Sequence, residues 1–198
     1  MSDRQRGDTV DWNRLLSDIE ACRACPLREG CSRTVPGEGD RSARLMFIGE
    51  GPGADEDRLG RPFVGRAGQL LTRMIEAIGK TREEVYICNV VKCRPPQNRT
   101  PTDEEAAACR PFLQRQIEGV RPRLIVLLGS TAGRCLLGES FHGVRADRGK
   151  WFFRGGSWIL PTYHPSALLR DPTLKRAAWE DFKAARDKLA AIETEENP

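Results

Sequence analysis

Leu45-Met46-Phe47-Ile48, running straight into Gly49-Glu50-Gly51-Pro52-Gly53, is the stretch from which the fold is read. An apolar run of strand length is stopped abruptly by glycine, proline and a carboxylate. The same hand-over recurs three times. Val85-Tyr86-Ile87-Cys88 runs into Asn89 and then Cys93-Arg94-Pro95-Pro96-Gln97-Asn98. Leu124-Ile125-Val126-Leu127-Leu128 runs into Gly129-Ser130-Thr131, and Trp158-Ile159-Leu160 into Pro161-Thr162-Tyr163-His164-Pro165-Ser166. Helical patterns separate these runs. Leu70, Leu71, Met74, Ile75 and Ile78 recur at helical spacing over 66–79, and Thr102 with Glu105 forms a capping-box signal for a helix directed towards Gly119, with Pro111 expected to bend it. Further helices are expected at 12–24, 131–137 and 174–192, with 193–198 a frayed tail. The alternation predicts an α/β fold, three-layer α/β/α, with a central, mainly parallel four-stranded sheet. Loops leaving the carboxyl ends of parallel strands share one edge, where ligands bind, so the four motifs are expected to meet in one site.

Residues 1–198 read as a single domain, with about ten N-terminal and six C-terminal residues expected to fray. The chain is 39% hydrophobic and 30% charged, the balance of a soluble globular protein. No apolar run approaches the roughly 20 residues that cross a bilayer, and the polar N-terminus lacks a signal core, so a cytoplasmic location is expected. A net charge of +4 permits a nucleic-acid partner. Arg58, Arg61, Arg66 and Arg73 follow the first motif, Arg94 and Arg99 flank the second, and Arg170, Lys175 and Arg176 follow the fourth. Singly each reads as a solvated side chain; their coincidence with three motifs points the set towards phosphate contacts.

Seven cysteines in such a chain read as metal ligands or core residues rather than disulfides. Cys22-Arg23-Ala24-Cys25 is a C-x-x-C pair that brings two thiolates to one centre. Two more, drawn from Cys31, Cys88, Cys93, Cys109 and Cys135, would complete a zinc site or an iron–sulfur cluster. Cys88 and Cys135 have apolar neighbours and read as core, while spacing leaves Cys31 in competition with Cys93 and Cys109.

Gly49 to Gly53, Glu56-Asp57, Gly60-Arg61-Pro62-Phe63-Val64-Gly65-Arg66-Ala67-Gly68-Gln69-Leu70-Leu71, Asn89-Val90-Val91-Lys92-Cys93-Arg94-Pro95-Pro96-Gln97-Asn98-Arg99, and His164-Pro165-Ser166 with Leu168 and Arg170 together resemble the family 4 uracil-DNA glycosylases. The match runs in order from about residue 20 to about residue 190. The resemblance implies a monofunctional repair enzyme that removes uracil from single- or double-stranded DNA, acting as a monomer. It also implies a structural four-iron, four-sulfur cluster (4Fe-4S) on Cys22, Cys25, Cys93 and Cys109.

Excision of a base requires it to be flipped out of the stack and read in a pocket. Phe63 offers an aromatic face for stacking. Asn89 carries one donor and one acceptor group, matching the O4 and N3–H edge of uracil; the resemblance raises it from a turn former to the uracil-reading residue. Gly51 is placed with them among the uracil-binding positions. His164, one of only two histidines, is the expected donor to uracil O2, and Glu50 and Glu56 are the candidate carboxylates opposite the sugar cation. Asn98 resembles a further functional position, orienting water or a phosphate, with capping of its proline-rich loop as the structural alternative. Leu168 resembles the wedge that fills the space left by the flipped base, a role Leu169 is equally able to fill. Ser130, Ser166 and Arg170 are expected on the DNA backbone. The chain departs from the better-known glycosylase branch at Gly51, where an Asp stands there, and at Gly53, where an aromatic does. Electrostatic stabilisation is therefore expected to outweigh base catalysis, with Glu50 as the leading carboxylate.

Two other classes compete. A covalent or tight uracil-DNA binding protein without turnover, in the same superfamily, would need a His-ended, Arg-rich loop after the second motif, and 95–109 contains no His. A non-catalytic zinc or cluster-bearing nucleic-acid module would carry the cysteines without the pocket.

Overall fold

The structure, a computed structural model, describes residues 10–196. The helices are α1 (Trp12–Ala21), α2 (Leu27–Gly30), α3 (Ala54–Leu59), α4 (Arg66–Ala77), α5 (Asp103–Val120), α6 (Ser130–Leu137), α7 (Val144–Asp147), α8 (Pro165–Arg170) and α9 (Lys175–Glu196). The strands are β1 (Glu38–Gly39), β2 (Leu45–Gly49), β3 (Tyr86–Asn89), β4 (Leu124–Leu128), β5 (Phe152–Arg154) and β6 (Ser157–Thr162). Their order in the sheet is β1-β3-β2-β4-β6-β5. The four expected strands form the parallel centre, and short antiparallel strands β1 and β5 extend it to six among the described residues. Two residues of β1 and three of β5 leave no periodic signal to read, which is why four strands were expected.

Alternation across the sheet builds two core layers. Met46, Ile48, Cys88 and Leu127 face one side with Leu113 and Val120 of α5 and Leu137 of α6. Leu45, Phe47, Ile87, Val126 and Leu128 face the other with Leu71 and Ile75 of α4 and Phe182 and Leu189 of α9. Phe47 and Phe182 stack at 5.6 Å between ring centroids. β2 and β4 are buried along their whole length, the condition under which a strand reads as an unbroken apolar run.

Most helix boundaries follow the sequence. Thr102 caps α5 and Glu105 closes the capping box by accepting from the Thr102 N–H at 2.8 Å. α5 continues through Pro111. The first helix ends at Ala21, earlier than expected, because Cys22 turns out of helical geometry as its C-cap. The last runs on to Glu196, so 193–196 are helical rather than frayed; the other residues expected to fray, 1–9 and 197–198, lie outside the described residues. Among the described residues no helix is long and apolar enough to cross a membrane.

α4 begins where the loop carrying Phe63 crosses it. A Cβ on Gly68 would stand 1.9 Å from the carbonyl carbon and oxygen of Phe63. Backbone cannot retreat as a flexible side chain can, so the steric cost exceeds the roughly 1 kcal/mol that Ala gains over Gly in a helix. Gly68→Ala is expected to destabilise the protein by about 1–3 kcal/mol in urea unfolding, the range for overpacking. Unchanged stability would show that the Phe63 loop yields freely.

Candidate active site

The strand order turns about β2, with β3 on one side and β4 on the other, so the loops after β2 and β4 part and open a cleft. Its volume is about 960 Å³, at the upper end of the range for small-molecule sites and enough for a base with its sugar. Glu50, Gly51, Glu56, Phe63, Asn89, Asn98, Ser130, His164, Ser166 and Arg170 all line it. The convergence expected of the four motifs is therefore realised.

Gly49 and Asn89 are register partners at the ends of β2 and β3. Asn89 is buried, and its Oδ1 has no hydrogen-bond partner. The backbone beneath is secured: Lys92 Nζ, itself buried, donates to the Asn89 main-chain oxygen at 2.6 Å and to Gln116 Oε1 at 2.5 Å. An unpaired buried acceptor costs roughly 1–3 kcal/mol, a penalty that a ligand N–H would relieve. Phe63 is also buried, its ring 5.5 Å from that of His164, and its backbone lies in the left-handed region at φ +52°. That conformation is rare for a bulky aromatic residue and persists only where the surroundings over-determine it.

The two carboxylates have different employment. Glu56 Oε1 accepts from the N–H groups of Val64 and Gly65, each at 2.8 Å, and its Oε2 from Gly53 N–H at 3.1 Å. With three backbone donors on it, Glu56 ties the first motif to the Phe63 loop. It also fills the space beside Gly53, where a Cβ would come within 2.7 Å of Oε2. Glu50 instead accepts from the hydroxyl of Thr131, across the switch point between β2 and β4. Thr131 was not among the expected site residues, although it follows Ser130 in a motif that could have suggested it.

His164 caps α8. The Ser166 N–H donates to its Nδ1 at 3.1 Å and Ser166 Oγ lies 2.8 Å from the same nitrogen. A backbone N–H can only donate, so Nδ1 is the bare nitrogen and Nε2 carries the proton. Burial, followed by the Arg170 charge, lowers the imidazole from its usual value to about 4. The ring is thus a neutral Nε2–H donor at neutral pH. Ser166, expected on the DNA backbone, lines the cleft and is bonded to His164 Nδ1.

Other expectations change. Leu168 is 1% exposed and packs in the core on the α4 side, which leaves no apolar tip to insert into DNA; its neighbour Leu169 is 36% exposed. Asn98 is exposed at the rim with φ +56°, and its Oδ1 accepts from Arg94 Nε at 2.8 Å. Arg58 pairs with Asp55 at 3.1 Å, Arg61 with Glu38 at 2.7 Å and Arg99 with Glu105 at 2.7 Å, so these arginines are engaged within the protein.

Cys22, Cys25, Cys93 and Cys109 line one small apolar pocket between the end of α1, the loop after β3 and α5. Among the described residues no set of three or more Cys, His, Asp or Glu is drawn into metal-holding geometry. Burial pushes the Cys93 thiol up, and the thiols of Cys31, Cys109 and Cys25 add to the effect. Four thiols lining one apolar pocket are the side-chain type that a thiophilic metal centre takes. Cys31 lies against Cys93 but outside that lining, in contact with Arg28 Nη1 at 3.6 Å. Cys88 is core, as expected, and Cys135 is partly buried against the same layer.

The family model described as the uracil DNA glycosylase superfamily matches residues 36–183. A type-4 uracil-DNA glycosylase of Thermotoga maritima is 49% identical over 173 residues, covering 85% of this chain and 89% of that one. This chain belongs to the type-4 branch of the uracil-DNA glycosylase superfamily. Within one organism, Pyrobaculum aerophilum, the type-4 enzyme is 43% identical over 87% of this chain and the type-5 enzyme 36% over 69%.

For this type-4 site the state of His164 is testable directly. Between about pH 6.5 and about 4 the unfolded imidazole takes a proton that the folded one refuses, so His164 withdraws stability as pH falls through that window. Nitrogen NMR at neutral pH is expected to show a bare Nδ1 and a protonated Nε2, with the titration midpoint near 4. A midpoint at the ordinary value of about 6.5 would contradict the desolvated site.

Proposed function

We propose that this chain excises uracil from DNA, hydrolysing the N-glycosidic bond and leaving an abasic site. The observation that carries the reading is the buried, unpartnered Oδ1 of Asn89 in the same cleft as the Phe63 ring and the neutral Nε2–H of His164. Uracil presents an N3–H to that oxygen, whereas cytosine presents a bare N3 there.

The base is extruded from single- or double-stranded DNA at a cost of a few kcal/mol and stacks on Phe63. Leu169 takes the wedge role. Arg170 and the amides at the start of α6, with Ser130, hold the backbone, and Gly51 brings main chain against the base. As the bond breaks, charge gathers on uracil O2 and the sugar becomes cationic. His164 stabilises the first by donating from Nε2, and Glu50, held by Thr131, stabilises the second or orients water. Since His164 donates without having to lose a charge, the step leans on preorganised electrostatics more than on a strong base.

Cys22, Cys25, Cys93 and Cys109 would hold a four-iron, four-sulfur cluster, stapling α1 and the loop after it to the loop after β3 and to α5. The chain works as a monomer, in the cytoplasm.

Incubation with a uracil-containing oligonucleotide, followed by alkali, is expected to give free uracil and strand scission. In single turnover His164→Ala should lose about two to three decades of rate, the effect of removing one preorganised donor. Glu50→Gln should lose less, because the amide oxygen still accepts from Thr131. No release by the unaltered protein would end the reading; abolition by Glu50→Gln with a mild His164→Ala would replace the mechanism by general-base chemistry.

For the cluster, iron content and visible absorption are expected to fall in Cys109→Ala and persist in Cys31→Ala. The reverse pattern would move the fourth ligand to Cys31.

A further inference from the structure

Arg82 lies between α4 and β3, outside the cleft, yet its partly buried guanidinium has an acceptor for every one of its five N–H donors. Nη2 donates to the Pro62 carbonyl at 2.8 Å and Nη1 to the Phe63 carbonyl at 3.0 Å. Nη1 also donates to Thr72 Oγ1 at 3.1 Å, while Nε and Nη2 hold Glu38 Oε1 at 3.1 and 2.5 Å. Glu38, on the edge strand β1, is shared with Arg61 at 2.7 Å.

The geometry of these bonds has a specific effect. The Pro62 carbonyl belongs to the peptide plane before the Phe63 Cα and the Phe63 carbonyl to the plane after it. Fixing both planes fixes φ and ψ of Phe63, the residue held at φ +52°. The second plane is gripped from its other side as well, since Glu56 Oε1 accepts from the Val64 N–H at 2.8 Å. A left-handed conformation in a non-glycine residue costs on the order of 1–3 kcal/mol and persists only where the surroundings over-determine it. Arg82 and Glu56 supply that over-determination.

Resting on the uracil-excising reading above, we infer that Arg82 is a positioning residue for excision, which sets the Phe63 ring against the flipped base from outside the cleft. Lysine can keep the ion pair with Glu38 but offers a point charge instead of a planar fork, so it cannot hold both carbonyls and Thr72 together. Arg82→Lys is therefore the informative variant, with the protein kept folded by the retained charge pair.

Three measurements test this. In a double-mutant cycle of single-turnover excision, Arg82→Lys is expected to slow the wild-type protein about tenfold and Phe63→Ala protein less than twofold, because the two substitutions remove the same interaction. Binding to abasic-site DNA should be unchanged. By NMR, Arg82→Lys should displace the His164 ring resonances in the direction that Phe63→Ala does, since the Phe63 ring current acts on them across 5.5 Å. Equal slowing in both backgrounds, or unmoved His164 resonances, would overturn the inference. Intact NMR coupling in a protein that releases no uracil would remove the functional reading alone and leave Arg82 as the residue that sets Phe63.

Discussion

The site depends on the missing side chain of Gly49. A Cβ there would lie 2.4 Å from Phe63 Cζ and 2.5 Å from Asn89 Oδ1, so the space that any other residue would fill is where the aromatic ring and the Asn89 amide come together. The sheet supplies the rest of the constraint. Gly49 ends β2, Asn89 ends its neighbour β3, and the parallel register puts them side by side. The pocket floor is thus the end of the sheet, built from main chain as rigid as the core beneath it.

Around this floor some polar groups are engaged within the protein and others are not. Glu56 and Ser166 are polar, near the cleft and suggestive in sequence, but their hydrogen bonds go to backbone N–H groups and to His164. Asn89 Oδ1, bonded to nothing, is the group whose capacity remains for a ligand. Lys92 works from below, joining Asn89 to Gln116, whose Nε2 reaches the Pro36 carbonyl at 2.7 Å and Tyr86 OH at 3.0 Å. Asn89 thus sits on a buried polar network of Lys92, Gln116 and Tyr86 whose members are paired, the arrangement in which such networks add rigidity.

The sequence carried the central sheet plainly, because β2 and β4 are apolar on both faces, and it carried the convergence of four motifs because parallel strands share their carboxyl edge. What it hid was assigned by geometry. A carboxylate in the first motif is written the same way whether it clamps a loop, as Glu56 does, or accepts from a hydroxyl across the switch point, as Glu50 does. The six residues of α8 are too few to set a helical phase, so the sequence could not say that Leu168 turns inward and Leu169 outward. Arg61 read as a candidate for phosphate until the fold placed Glu38 beside it, a pairing across 23 residues that no local pattern encodes. The choice of cysteines likewise needed the resemblance first and the shared pocket second.

The most direct measurement is a crystal structure of the protein with uracil and abasic-site DNA, the products of the proposed reaction. The account predicts uracil stacked on Phe63, its N3–H donated to Asn89 Oδ1 and its O2 within hydrogen-bond reach of His164 Nε2. Uracil bound elsewhere, or bound in the cleft with Asn89 Oδ1 still unpartnered, would contradict it.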